Sequence, residues 1–304
     1  MKKAVFFFVL AMLCFQLRAQ KEGFAESKGV KIYYRTFGSG TPMLIINGGP
    51  GLNSDGFEDL ARTLSGHNET IIYDQRGTGK SELEKVDSST ITMQLMVEDI
   101  ESLRKHLNIQ HWIVLGHSFG GMLASYYATL HPETIISMIL SSSGGIDLEL
   151  LSGTGNPVNS KLTKPQQDSV NYWAQKINEG DTSYNARWQR AKALANAYVY
   201  DKKFVPIVAA RLTQMNQQVN SLVWEDMQRI KFNCAAKLTS FNQPVLIIQG
   251  KYDIVSEKLA NKAHAVLKHS RVVLLDHSVH YGWLDNPDKY LGEVESFASA
   301  NRQP

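Results

Sequence analysis

The sequence predicts an α/β fold: a doubly wound, mostly parallel sheet with an inserted helical cap. Three observations lead there. Short, wholly apolar runs recur along the chain, helical patterns separate them, and the alternation lapses near Gly145 and resumes at Pro244. A strand buried on both faces reads as a continuous apolar run, and strands alternating with helices argue for parallel βαβ units.

The runs Met43–Ile46, Thr70–Tyr73, Trp112–Leu115 and Ile135–Leu140 are the first expected strands, and Val245–Ile248 and Val272–Leu275 the last. After the second run, Met93, Met96, Val97, Ile100, Leu103 and Leu107 recur at three- and four-residue steps, the apolar stripe of a surface helix. The interval after Gly145 opens with loop-like Gly153-Thr154-Gly155-Asn156-Pro157 and continues with helical patterns over Pro165–Ile177 and Tyr184–Tyr198. The expected division is therefore a leader over 1–19, a core over 20–144 and 244–304, and a helical cap over 145–243. A separately folded second domain is the alternative for the cap.

The leader rests on Met1-Lys2-Lys3, the apolar stretch Ala4–Phe15 and a small residue at Ala19. A basic start, a short apolar segment and a small residue at the cleavage point describe a secretory signal peptide. The stretch is shorter than the ~20 residues a spanning helix needs, so no stable membrane anchor is expected after cleavage. The protein is expected to be exported, to the periplasm or the medium. An uncleaved anchor and a lipoprotein box at Cys14 are the alternatives. The formal charge of +3 belongs to Lys2, Lys3 and Arg18, so the mature chain has no basic excess for nucleic acid. It keeps a single cysteine, Cys234, and no intramolecular disulfide is expected.

The chemistry begins at Gly116-His117-Ser118-Phe119-Gly120-Gly121. A Gly-x-Ser-x-Gly pattern is weak by itself; its place between an expected strand and an expected helix gives it force. Glycines two before and two after allow a sharp turn that lifts the Ser118 hydroxyl above the sheet. A serine hydroxyl needs a base. In this arrangement an acid and a histidine follow the serine in the chain, and Asp253 and His280 each lie just beyond an expected strand. Asp276 and His277 are their competitors. His280 is preferred because it begins His-Tyr-Gly-Trp-Leu-Asp-Asn-Pro, which leads into the last helix. For a developing oxyanion the expected donors are the backbone N–H groups of Gly49, in the loop Asn47-Gly48-Gly49-Pro50-Gly51, and of Phe119. No cluster of metal-ligating residues is evident, and no metal or cofactor is expected.

Together these residues resemble the α/β-hydrolase superfamily and, within it, the proline iminopeptidase family of serine peptidases. Asn47–Gly51 is similar to that family's His-Gly-Gly-Pro-Gly oxyanion loop. Asp74-Gln75-Arg76-Gly77-Thr78-Gly79-Lys80-Ser81 matches its Asp-Gln-Arg-Gly-x-Gly-x-Ser segment. The resemblance implies release of an N-terminal residue, often proline, from a short peptide, through an acyl-enzyme and without a cofactor. This chain departs from the family at Asn47, which replaces a histidine, and at His117-Ser118-Phe119, which replaces Gly-Ser-Trp. It departs again at Trp188, which is followed by neutral Gln189 where the family often has glutamate. A carboxylate is needed there for the substrate ammonium, so Glu225 and Asp226, after Trp224, become candidates. Asn47 and Trp188 are the other candidate substrate contacts. A solvated helix face is the alternative for the two acids.

The expected function is a serine hydrolase with a small-molecule or short-peptide substrate, an aminopeptidase first. An esterase or lactonase of the same fold is the alternative, followed by a ligand-binding protein on a hydrolase scaffold.

Overall fold

A computed structural model describes residues 20–151 and 157–302. The expected leader lies outside the described residues. The sheet consists of β1 (Lys21–Ser27), β2 (Val30–Gly38), β3 (Thr41–Ile46), β4 (Asn68–Tyr73), β5 (Trp112–His117), β6 (Ile135–Ser141), β7 (Val245–Gly250) and β8 (Ser270–Leu275), in the order β1-β2-β4-β3-β5-β6-β7-β8. From β4 to β8 every pairing is parallel; β1–β2 and β2–β4 are antiparallel. Each apolar run of the sequence lies inside one of the parallel strands. The antiparallel pair at the edge carries no such run, because β1 is largely exposed and half polar.

Alternate residues of a strand face opposite sides, and the core divides accordingly. Leu44, Ile46, Val114 and Leu140 join one apolar cluster, while Met43, Ile45, Leu115 and Ile139 join another. Helices α2 (Met93–His106), α3 (Phe119–Leu130) and α9 (Glu257–Val266) contribute to the first cluster. Helices α1 (Glu58–Leu64) and α11 (Pro287–Ala300) contribute to the second. The stripe read from the sequence is the buried face of α2, apart from Leu107, which is its C-cap.

Among the described residues no strand lies between β6 and β7, and helices make up most of the segment. They include α4 (Lys164–Asn178), α5 (Tyr184–Ala195), α6 (Val205–Leu212), α7 (Gln217–Arg229) and the single turn α8 (Ala235–Leu238). Another short turn, α10 (Gly282–Asp285), precedes α11. The helical pattern expected over Tyr184–Tyr198 ends at Ala195, with Asn196 as C-cap. None of the described helices is long and apolar enough to cross a membrane.

After β3 the chain moves to one side to form β4, and later to the other side to form β5. The carboxyl ends of β3 and β5 thus flank a point where the winding reverses, where open α/β sheets leave a crevice. The loop after β3 begins at Asn47 and the turn after β5 holds Ser118. Sheet topology, more than local sequence, brings these two segments together.

Candidate active site

Ser118 has φ 55° and ψ −119°, a conformation that an L side chain adopts only under strain. Surrounding contacts hold it there. Its N–H donates to the Ser141 carbonyl at 2.9 Å, and its carbonyl accepts from Gly121 and Gly144, each at 3.0 Å. A Cβ at Gly120 would collide with the Ile46 carbonyl, and one at Gly48 would lie 2.5 Å from the Ser118 Cβ. Glycine at these places lets the helix start and the β3 loop close on the serine. Phe119 opens α3, where first-turn N–H groups lack intrahelical acceptors.

Asp253 follows β7 and His280 follows β8. His280 Nδ1 and Asp253 Oδ1 are 2.8 Å apart, and both side chains are almost wholly buried. The same carboxylate oxygen accepts from Val255 N–H at 3.1 Å. The His280 N–H donates to the Tyr198 carbonyl, on the connection between α5 and α6, at 3.1 Å. The backbone between α5 and α6 therefore holds the histidine loop. Ser118 and His280 line one cavity of about 250 Å3. Among the described residues no hydrogen bond joins their side chains; such contacts are often long without substrate and tighten when it binds. The competitors lie elsewhere: Asp276 pairs with Lys251 at 2.5 Å, and His277 packs edge-on against Tyr200 at the surface.

The Gly48–Gly49 peptide is clamped. Its carbonyl accepts from Arg211 Nη2 at 2.8 Å and, more weakly, from Asn47 Nδ2 at 3.4 Å. The carbonyl and N–H of a trans peptide point in opposite directions, so the Gly49 N–H is turned away from Arg211. Gly49 itself has φ +69°. Asn47, a candidate substrate contact by sequence, is fully buried and gives its amide to Leu52 O at 2.9 Å. Its own carbonyl accepts from Gln75 Nε2 at 2.9 Å. Asn47 thus braces the loop and does not line the cavity. The rest of the Asp74–Ser81 segment is also scaffolding. Asp74 accepts from Ser54 and Lys80 N–H, and Arg76 makes a bidentate, buried pair with Asp99 at 2.6 and 2.7 Å.

The candidate cap residues are not gathered at Ser118. Asp226 faces the core: one carboxylate oxygen accepts from Met93 N–H at the start of α2 at 2.8 Å, and the other pairs with Arg229. Placed there it satisfies an orphan donor at a helix N-terminus, and it does not face substrate. Glu225 is exposed on α7, and Trp188 stacks on Tyr184 against the second core cluster. Neither lines the cavity, although Trp224 does.

Two lining residues were not anticipated. Arg211, at the end of α6, is 6% exposed and donates from Nη1 to Tyr281 OH at 2.8 Å. No carboxylate pairs with it among the described residues. His117 lies beneath His280, with ring centroids 4.7 Å apart, and packs edge-on against Trp283. Burial, and then the nearby His280 and Arg211 charges, hold its pKa well below the usual imidazole value. His117 is therefore a neutral wall behind the candidate base. The motif flagged its position without indicating this role, and no pattern marks Arg211, since nothing in a cap helix announces which long side chain will reach the sheet.

The remaining walls are mostly apolar, with Leu52, Phe119, Val158, Met215 and Trp224 among them, and no Asp or Glu lines the cavity among the described residues. A half-buried serine beside a buried histidine and carboxylate, with backbone donors nearby, can perform acyl transfer by nucleophilic catalysis.

Residues 41–287 match the family model described as the alpha/beta hydrolase fold. A proline iminopeptidase of Heyndrickxia coagulans is 24% identical over 296 residues, covering 92% of this chain and 99% of the relative. One from Clostridioides difficile (strain 630) is 27% identical, covering 92% and 98%. Among solved structures, an esterase from Exiguobacterium antarcticum superimposes with TM-score 0.70 at 20% identity, covering 91% of this chain and 98% of that one. The proline iminopeptidase of Mycobacterium smegmatis gives 0.65 at 18%, covering 92% and 98%. With the sheet, the elbow and these likenesses in hand, the chain belongs to the α/β-hydrolase family and resembles its proline iminopeptidase members.

Proposed function

We propose that the protein is a serine hydrolase acting on small carbonyl substrates through an acyl-enzyme. The observation that carries this reading is the 2.8 Å hydrogen bond between His280 and Asp253, with His280 and strained Ser118 on one cavity. In this mechanism His280 takes the Ser118 proton as Oγ attacks the carbonyl, and Asp253 holds the tautomer and steadies the imidazolium. The N–H groups of Gly49 and Phe119 meet the oxyanion. His280 then protonates the leaving group, and water releases the acyl group by the same route reversed.

The relatives' names support an aminopeptidase acting on short peptides. One observation favours the ester or lactone reading. A free N-terminal ammonium would enter a cavity that no carboxylate lines among the described residues, beside the Arg211 cation, where desolvation is uncompensated. Short-chain acyl esters should therefore be turned over in preference to aminoacyl naphthylamides. A fluorophosphonate probe should label the wild type at Ser118 and leave Ser118→Ala unlabelled. Unchanged turnover in Ser118→Ala would end the hydrolase reading. Turnover confined to free-amine substrates would end the ester preference.

A further inference from the structure

A second cavity, about 410 Å3, opens in the cap among α4, α5 and the segment after α6. Leu212 and Met215 line both this cavity and the one that holds Ser118, so the two share a wall. Arg187 and Arg190 project into it from α5. Residues three apart leave the same face of a helix, so both arginines border the cavity from one side of α5. Arg190 is half-buried.

Neither arginine has an ion-pair partner among the described residues. The neighbouring acids are committed elsewhere. Asp168 pairs with Lys164, Glu179 with Lys176 and Asp201 with Lys203, while Asp181 accepts from the Ser183 N–H. Burial lowers the affinity of Arg190 for its proton, yet a guanidinium stays charged in a protein. A half-buried guanidinium without a counter-ion is costly, and an anion in the cavity would offset that cost.

We propose that this cavity binds a carboxylate on the part of the substrate remote from the scissile carbonyl, with Arg190 as its principal contact and Arg187 as its second. A guanidinium fork matches a planar carboxylate in two parallel hydrogen bonds. The site rests on the hydrolase reading of Ser118 and adds a substrate class to it: small acyl compounds with an anionic tail. The proposal requires the acyl portion to fill the apolar cavity and the tail to pass between Leu212 and Met215, which border both cavities.

The test compares matched substrate pairs. One pair is a nitrophenyl half-ester of a dicarboxylic acid and its methyl-capped diester. The other is a dipeptide and its C-terminal amide, which puts the carboxylate on the leaving side. The charged member of one pair should have a kcat/KM about tenfold higher, mainly through KM, as expected for a charge-assisted contact. In Arg190→Met the ratio of charged to capped substrate should fall to about one, and in Arg187→Met it should fall partway. Should Arg190→Met fail to fold, the exposed Arg187→Met and the wild-type ratios still decide. Binding is also read without turnover, by calorimetry on Ser118→Ala with each intact pair. Equal kcat/KM and equal affinity within both pairs would overturn the proposal, as would a preference that survives both substitutions. Turnover of the capped ester with probe labelling at Ser118 but no preference rejects only the carboxylate site. Loss of labelling and of all turnover rejects the parent reading, and the calorimetry still judges the site.

Discussion

Arg211 reaches the sheet from the cap and holds the Gly48 carbonyl, so its removal tests whether the cap orients the oxyanion donor. In Arg211→Met the 2.8 Å bond from Nη2 is lost and the carbonyl keeps only Asn47 Nδ2 at 3.4 Å. A hydrogen bond to a charged group contributes about 1.5–3 kcal/mol. With about 1.4 kcal/mol per decade of rate, full transmission to the transition state would lower kcat about 10- to 150-fold. Loss of an entire oxyanion donor, at about 100- to 1000-fold, sets the ceiling. The surviving Asn47 contact argues for the lower part of the range, about 10- to 50-fold. The loss should fall on kcat, because a ground-state carbonyl gains little from the Gly49 N–H. Affinity for a boronic acid that mimics the tetrahedral intermediate should fall in parallel. Arg211→Lys keeps the charge but not the fork that reaches Gly48 O and Tyr281 OH together, so it should fall between the two. Steady-state kinetics on a neutral acyl ester, with Tm measured for each variant, provide the assay. A kcat within twofold of wild type at unchanged Tm, or a loss carried entirely by KM, would refute the clamp.

Three other outcomes follow from the same geometry. Ser118→Gly and Ser118→Ala should both be inactive, but glycine should be the more stable by about 1 kcal/mol in urea unfolding, because alanine keeps the strained Cβ at φ 55°; an alanine variant of equal or greater stability would contradict this. His117 is held neutral when folded and takes a proton near its ordinary pKa when unfolded. Its contribution is therefore complete above about pH 6.5 and falls by about 1.4 kcal/mol per pH unit below it. Replacing it in His117→Gln should make the acid limb of stability shallower by about one proton, and unfolding curves at pH 5 and 7 check the slope. Asp226→Ala should cost about 1–2 kcal/mol because the Met93 N–H at the start of α2 loses its acceptor, with kcat per folded molecule unchanged. A raised KM for amine substrates at full stability would instead return Asp226 to the substrate site.

The parallel strands were legible because a strand buried on both faces must be apolar throughout. The α2 stripe was legible because a helix on a sheet repeats its apolar residues every turn. Strands β1 and β2 were not: β1, at the edge, is largely exposed, and β2, though mostly buried, is interrupted by Arg35 and Thr36. The elbow was legible from Gly116, Ser118 and Gly120, where local crowding admits only small residues. Asp253 and His280 were legible from their places after strands, a regularity of the winding. Asp226 was misplaced because an acid after a tryptophan in the cap looks the same in the chain whether it faces substrate or a distant helix start. Its partner Met93 lies 133 residues away.

By itself, then, the order of residues determined the layered sheet, the serine elbow and the candidate triad members, because each is set by periodicity or by steric demands within a few residues. Only the tertiary structure decided what surrounds them: that Asn47 braces a loop, that His117 stays neutral, and that the cavities are lined by arginines with no ion-pair partner among the described residues. Those roles depend on which distant helix each long side chain meets and on how far water is excluded there, and neither quantity is written in local spacing.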